Sequence, residues 1–204
     1  MKKINVGGGK HWHKDGWENI DLGLGHNLNQ GYLKNYKDNS VDIIYTSHCI
    51  EHLPWKNVDN VLKDLYRILK PGGLIRIVLP DVDIMWKIIK NKDRDILERN
   101  NPGYYRSGGG GALSNEFCVY ELFGYDRKGE RFLENTMHKA FFNESIINIM
   151  LSAAGFSEVE MKEFCNSNIE EMCEPQTGNP LKKKTEGFDN PDTQDISLFL
   201  ECRK

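Results

Sequence analysis

Residues 41–80 hold an apolar run, a helical stripe and a second apolar run in direct succession, and this unit constrains the fold more than any other feature. Residues 41–46 read VDIIYT, apolar enough for a strand covered on both faces. Val58, Leu62, Leu65 and Leu69 then recur at helical spacing with charged residues between them. Lys70-Pro71-Gly72-Gly73 ends that helix, because proline cannot continue it and glycine suits the turn. Residues 74–79, LIRIVL, form the next strand, closed by Pro80-Asp81. A strand, a helix and a strand in this order predict an open, mostly parallel sheet covered by helices.

The flanking segments extend the pattern. Residues 3–6 make a short strand running into Gly7-Gly8-Gly9, and residues 17–22, WENIDL, make a second strand with an acid, Asp21, at its end. Towards the C-terminus, residues 144–154 carry an apolar stripe of Ile146, Ile147, Met150 and Leu151. Asn143 or Ser145 is the expected cap, and Gly155 the expected stop. Strands follow at 158–164 and 196–202, and the polar stretch 166–194 between them reads as a long mobile connection. Residues 81–137 break the rhythm with Gly108–Gly111 and with Trp86, Tyr104, Tyr105, Phe117, Tyr120 and Tyr125. That stretch reads as an insertion, a substrate lid, within one domain spanning 1–204.

Composition removes several classes of function. A net charge of −3 supplies no basic field, so no nucleic-acid partner is expected. The basic run Lys182-Lys183-Lys184 reads as a solvated loop. No stretch approaches the length of a membrane span, and no secretory leader opens the chain. Five cysteines without a CxxC suit a reducing compartment, and a cytoplasmic location is expected. His11-Trp12-His13 offers two histidines only, which do not make a metal site, so none is expected.

In open parallel sheets the ligand sits beyond the carboxyl ends of the strands. The glycine turn after the first strand lets backbone approach a ligand with no Cβ between them. An acid ending the second strand is placed to accept the hydroxyls of a ribose. Together they point to a ligand of nucleoside type. Fewer than ten residues separate Gly9 from the second strand, too few for the full helix whose N-terminus holds a dinucleotide pyrophosphate. That spacing argues against NAD.

The chain resembles the class I S-adenosylmethionine-dependent methyltransferases, most closely the bacterial, type 11-like branch with a shortened first helix. Four stretches carry the likeness: residues 4–9 with 16–21; 38–45 running into Ser47-His48-Cys49-Ile50-Glu51-His52-Leu53; 65–73 before the strand that ends Pro80-Asp81; and His138-Lys139, then a helix, then Ala154-Gly155-Phe156. The resemblance implies a Rossmann-like α/β fold, with a mostly parallel seven-stranded sheet, an antiparallel last strand and helices on both faces. It implies S-adenosylmethionine as cofactor, held by Asn5, Gly7, Gly8, Gly9, Asp21, Ser47 and His48. Gly7 and Gly9 would line its methionine part and Asp21 its ribose. Asn5 stands where many relatives carry an acid. Leu28-Asn29-Gln30-Gly31 stands where relatives place an acid beside the adenine, and neither amide is a secure substitute.

The implied reaction is methyl transfer to an oxygen or nitrogen of a small-molecule or sugar-type acceptor. The sulfonium already activates the methyl group, so alignment and water exclusion are the main tasks. A general base would be a histidine, and the candidates are His138 and His48. For each, a purely structural role is the alternative. Glu51-His52 opens the next helix, and its two readings at this level are a helix cap or a part in catalysis. Two other activities also compete: a catalytically silent subunit that binds S-adenosylmethionine for a partner, and a nicotinamide-dependent oxidoreductase.

Overall fold

The computed structural model describes residues 1–91, 137–179 and 184–204. Strands β1 (Lys3–Val6), β2 (Trp17–Ile20), β3 (Val41–Ser47), β4 (Leu69–Pro80), β5 (Ser157–Lys162) and β8 (Ser197–Arg203) form a sheet in the order β2-β1-β3-β4-β8-β5. The β2-β1-β3-β4 pairings are parallel, whereas β8 runs antiparallel to both β4 and β5. Strands β6 (Thr177–Asn179) and β7 (Lys184–Glu186) form a separate two-stranded sheet. This is the expected open α/β sheet, mostly parallel, with the expected antiparallel last strand.

The main sheet has six strands among the described residues rather than the seven expected. Where a further strand would follow β2, residues 22–35 form three short 3₁₀ turns. Asp21 accepts from Gly23 N, and the Asn27 side chain accepts from Asn29 N. These local bonds offer the backbone an alternative to a ladder.

The alternation of β residues separates two cores. Ile4, Val6, Ile44, Ile75, Ile77 and Leu200 point to one face and are sealed there by helices α1 (Trp55–Ile68) and α3 (Glu144–Ala154). Val58, Val61, Leu62, Leu65 and Ile68 are the buried stripe of α1. Asn143 caps α3 by accepting from Ile146 N at 2.9 Å, and Gly155 ends the helix as expected. The Lys70–Gly73 turn does not separate helix from strand as predicted. It lies within β4 as an irregularity, the pairing slipping between Val41 and Ile43.

The other face is covered differently. The link from β1 to β2 contains no helix. Instead Trp12 bridges Thr185 of β7 and donates its indole N–H to Gly187 O at 2.7 Å. Phe188 packs at ring-centroid distances of 4.9 Å from Trp17 and 5.0 Å from Tyr45. The expectation of a loose 166–194 connection is therefore corrected in its described part, where Met172, Phe188 and Asp189 are fully buried. Arg76, itself fully buried, donates to both carboxylate oxygens of Asp189 and to the carbonyls of Glu163 and Asn166. The polarity read as a sign of mobility is that of a segment pinned by buried charge.

Helix α2 (Val82–Asn91) begins where the insertion was expected, with Met85 and Ile88 buried and Trp86 exposed. The rest of the expected lid, including Gly108–Gly111 and its other aromatic residues, lies outside the described residues, as do Lys182 and Lys183.

Candidate active site

The carboxyl ends of β1, β2 and β3 meet in a cleft. Gly7 continues β1 by donating its N–H to Ile20 O at 2.7 Å, then turns with φ +83°, a conformation that favours glycine. A Cβ added there would lie 2.3 Å from Cys49 Cβ, so side-chain contact with the turn after β3 leaves no room for a larger residue. At Gly9 the same position is open, with nothing within 4 Å. Asp21 holds the turn from below: its Oδ2 accepts from Gly9 N at 3.0 Å and its Oδ1 from Gly23 N at 2.7 Å. Asn19 donates to Gly9 O at 2.8 Å. Asn5 is buried under Gly8, and its Oδ1 accepts no hydrogen bond among the described residues.

Two hollows share Gly7 and His48 as their common wall. One, of about 140 Å³, is lined by Asp21, Leu22, Leu28, Asn29, Cys49 and His52 among others. The second, of about 540 Å³, lies over Asn5, Gly8, Gly9 and Ser47 and reaches Thr185 and Phe188. Ligand atoms laid across Gly7 would reach Asp21 on one side and Ser47 on the other.

The turn after β3 brings a second group of side chains to this wall. His48 adopts φ +47°, a left-handed conformation that costs a non-glycine residue of the order of 1–2 kcal/mol. Its N–H still bonds Val78 O at 3.0 Å, so the strand ends abruptly and folds into the 3₁₀ turn Ile50–His52. Ser197 gives its hydroxyl hydrogen to Thr193 O at 2.8 Å, so His48 Nε2, 3.0 Å away, is the donor to Ser197 Oγ. His48 Nδ1 then faces Glu51 Oε1 at 3.4 Å, longer than a good charge-assisted hydrogen bond. His52 presents Nδ1 to Met137 O at 3.2 Å, and its Nε2 lies 3.8 Å from the same Glu51 oxygen. The His138 ring packs against that of His52, centroids 4.9 Å apart.

Glu51 is the centre of this group. It is 1% exposed, and neither carboxylate oxygen accepts a hydrogen bond among the described residues. Burial pushes its pKa up, but the imidazoles of His48, His52 and His138 outweigh burial and leave the carboxyl below its ordinary value. Burial, with the carboxylates of Glu51 and Asp21 nearby, pushes the Cys49 thiol up to about 12. His138, 87 residues beyond Glu51 in sequence, is brought here because Lys139 N and Ala140 N both donate to Glu51 O, at 2.7 and 3.1 Å.

Comparison with known proteins bears on this arrangement. Residues 19–77 match the family model described as a methyltransferase domain. All of this chain superposes on 86% of a SAM-dependent methyltransferase from Archaeoglobus fulgidus, with a TM-score of 0.53 and 15% identity. The fold is that of the class I methyltransferases. A second solved structure, a SAM-dependent methyltransferase described as a possible histamine N-methyltransferase from Thermotoga maritima, gives a TM-score of 0.46 at 15% identity. All of this chain and 82% of that one are covered. A 72-residue stretch, 35% of this chain, is 29% identical to the sterol 4-C-methyltransferase strm-1 of Caenorhabditis elegans, and spans 18% of that relative's length.

Within this methyltransferase fold, the residues expected to hold the cofactor, Asn5, Gly7, Gly8, Gly9, Asp21, Ser47 and His48, all lie on the two hollows. Leu28 and Asn29 line the first hollow beside Asp21, where the sequence offered no acid. Of the two candidate bases, His48 lines both hollows, with its ring nitrogens directed at Ser197 and Glu51, and His138 stands behind His52. Sequence reasoning left Glu51 and His52 undecided between a cap and catalysis. Neither makes a capping bond to α1, whose first turn has no side-chain cap. Asn19 was missed as a support of the glycine turn, and its position two residues before Asp21 on β2 was the available signal.

Proposed function

We propose that this chain transfers the methyl group of S-adenosylmethionine to an oxygen or nitrogen of a small-molecule acceptor. The observation that carries the reading is the backbone-walled cleft over β1–β3, with Asp21 at one end and Asn5 and Ser47 at the other. The residues present fit that cofactor. Asp21 uses one contact on each oxygen within the protein, leaving lone pairs for two ribose hydroxyls. Leu22 and Leu28 offer apolar walls for a base. Gly9, with no atom near its Cβ position, admits the methionine part, and Asn5 lies at the same end of the cleft. When bound, the cofactor supplies a methyl group already activated by a positive sulfur.

The chain's task is then to align the acceptor and exclude water, a contribution that proximity alone makes large. For a hydroxyl or amine acceptor, His48 and His52 stand at the cleft wall, with Glu51 and His138 behind them. His138 and His48 are the residues proposed as catalytic. An acceptor of small size suits a cleft of this size on a chain with no excess of positive charge. The whole 1–204 stretch works as one domain in this reading, with 81–137 choosing the acceptor, and the cytoplasm is the proposed compartment.

The deciding experiment pairs binding with turnover. Calorimetry should show S-adenosylhomocysteine binding and no NAD binding. A screen with labelled S-adenosylmethionine against sugars, phenols and amines should find an acceptor. His138→Ala should then slow turnover about 10²–10⁴-fold with cofactor affinity unchanged. Preferential NAD binding overturns the assignment, and cofactor binding without turnover on any acceptor class favours a silent binding subunit.

A further inference from the structure

Three potential ligand groups converge beside the cleft. A Glu51 carboxylate oxygen and one ring nitrogen each of His52 and His138 lie within 4.8 Å of one another, and among the described residues no other such group of three exists. The hydrogen bonds around them decide which atoms point inward. His52 commits Nδ1–H to Met137 O, so Nε2 carries the lone pair and faces Glu51 Oε1 at 3.8 Å. His48 commits Nε2–H to Ser197, so its Nδ1 also faces Glu51. Imidazole nitrogens thus face a buried carboxylate that accepts no hydrogen bond among the described residues. Positive charge between them, as ring protons or as one divalent cation, would offset the buried carboxylate.

We propose that Glu51, His52 and His138 form a site for a divalent first-row transition metal of the zinc type, at the wall of the cofactor cleft. The donor set of two imidazoles and one carboxylate suits such ions, and three protein ligands leave coordination positions open. Ligands about 2.0–2.2 Å from a tetrahedral zinc lie roughly 3.4 Å apart, so the 3.8 Å pair closes by a small rotation. The carbonyl that fixes His52 is the usual second partner of a metal-bound imidazole. The two segments bearing the ligands are stapled together by the Lys139 and Ala140 bonds to Glu51 O. Of the three ligands, His52 lines the first hollow, which puts the site at the cleft wall.

Metal binding stands independently of the proposed reaction, and only the ion's role in it rests on the methyltransferase reading. An acceptor hydroxyl bound to the ion would lose its proton to water more readily. Its oxygen would then form the new C–O bond, while the electron pair of the breaking C–S bond stays on sulfur.

The test uses the full chain, stripped with chelator and titrated with Zn²⁺, Mn²⁺ and Mg²⁺ in the absence of cofactor. One Zn²⁺ per chain is expected, and Co²⁺ in its place should give visible d–d absorption. Glu51→Gln and His138→Gln should each weaken Zn²⁺ binding at least about 100-fold, with circular dichroism confirming that both variants fold. His13→Ala, at an exposed histidine, should leave stoichiometry and affinity unchanged. Binding that survives His138→Gln, that disappears with His13→Ala, or that is confined to Mg²⁺ overturns the site. Zinc binding without S-adenosylhomocysteine binding would sink the methyltransferase reading and leave the metal site standing.

Discussion

Asp189 and Glu201 surround Arg76 in the second core, and Glu51 lies beside the cleft; all three carboxylates are at most 2% exposed. Their surroundings differ. Asp189 accepts from Arg76 on both oxygens, from Tyr45 OH at 3.3 Å and from Cys165 N at 2.8 Å. Glu201 accepts from Arg76 at 3.3 Å, from the Ser167 hydroxyl and from Asn168 N at 3.0 Å. Glu51 accepts no hydrogen bond among the described residues and is faced by imidazoles. A buried charge whose every oxygen is bonded is a clamp, here holding residues 163–168 and 189 on the sheet. A buried charge left unbonded is costly, and one that persists calls for an explanation in function.

The largest effect should come from breaking the bonded cluster. Arg76→Ala strands two buried carboxylates and should cost about 3–5 kcal/mol in urea denaturation. Replacing Arg76 and Asp189 together by apolar residues of similar volume should recover part of that loss. A single variant as stable as the parent would mean that the cluster is no clamp. Asp21, half-exposed and bonded only to turn amides, comes next. Asp21→Ala should weaken S-adenosylhomocysteine binding by about 1–3 kcal/mol in calorimetry, and an unchanged affinity would remove it from the site.

Glu51→Gln should shift folding stability by less than about 1.5 kcal/mol, because the change deletes no hydrogen bond, whereas one to a charged group is worth about 1.5–3 kcal/mol. A loss as large as that of Arg76→Ala would erase the distinction between the two clusters. The smallest effect belongs to Glu171. Burial raises its pKa, but bonds from Lys3 and Trp17 outweigh burial and lower it from 4.5. Its stabilisation is therefore present above the unfolded value and lost as pH falls through the depressed folded one. Glu171→Gln should flatten the fall in stability, read from urea denaturation, below about pH 4.5, by about 1 kcal/mol for a partly buried pair.

Much of the first face was readable from residues alone. The α1 stripe, the Asn143 cap and the Gly155 stop depend on neighbours within one or two turns, so local chemistry suffices. The second face was not. Residues 166–194 looked like a polar linker because Asp189 and its neighbours reveal their partners only when Arg76, 113 residues away, lies beneath them. The missing strand after β2 failed for the opposite reason: short-range bonds from Asp21 and Asn27 overrode the family expectation.

The cofactor cleft shows the same division. The glycine turn and Asp21 are twelve residues apart on adjoining parallel strands, and strand order alone brings Asp21 to Gly9 N. The amino-acid sequence by itself thus determined the α/β sheet, its helical cover and the glycine turn beside Asp21, because each rests on periodicity or on contacts between consecutive elements. Only the tertiary structure decided how the second face is sealed and that Glu51, His52 and His138 meet. Those contacts join segments far apart in the chain, through backbone bonds such as Lys139 N to Glu51 O that no residue type announces.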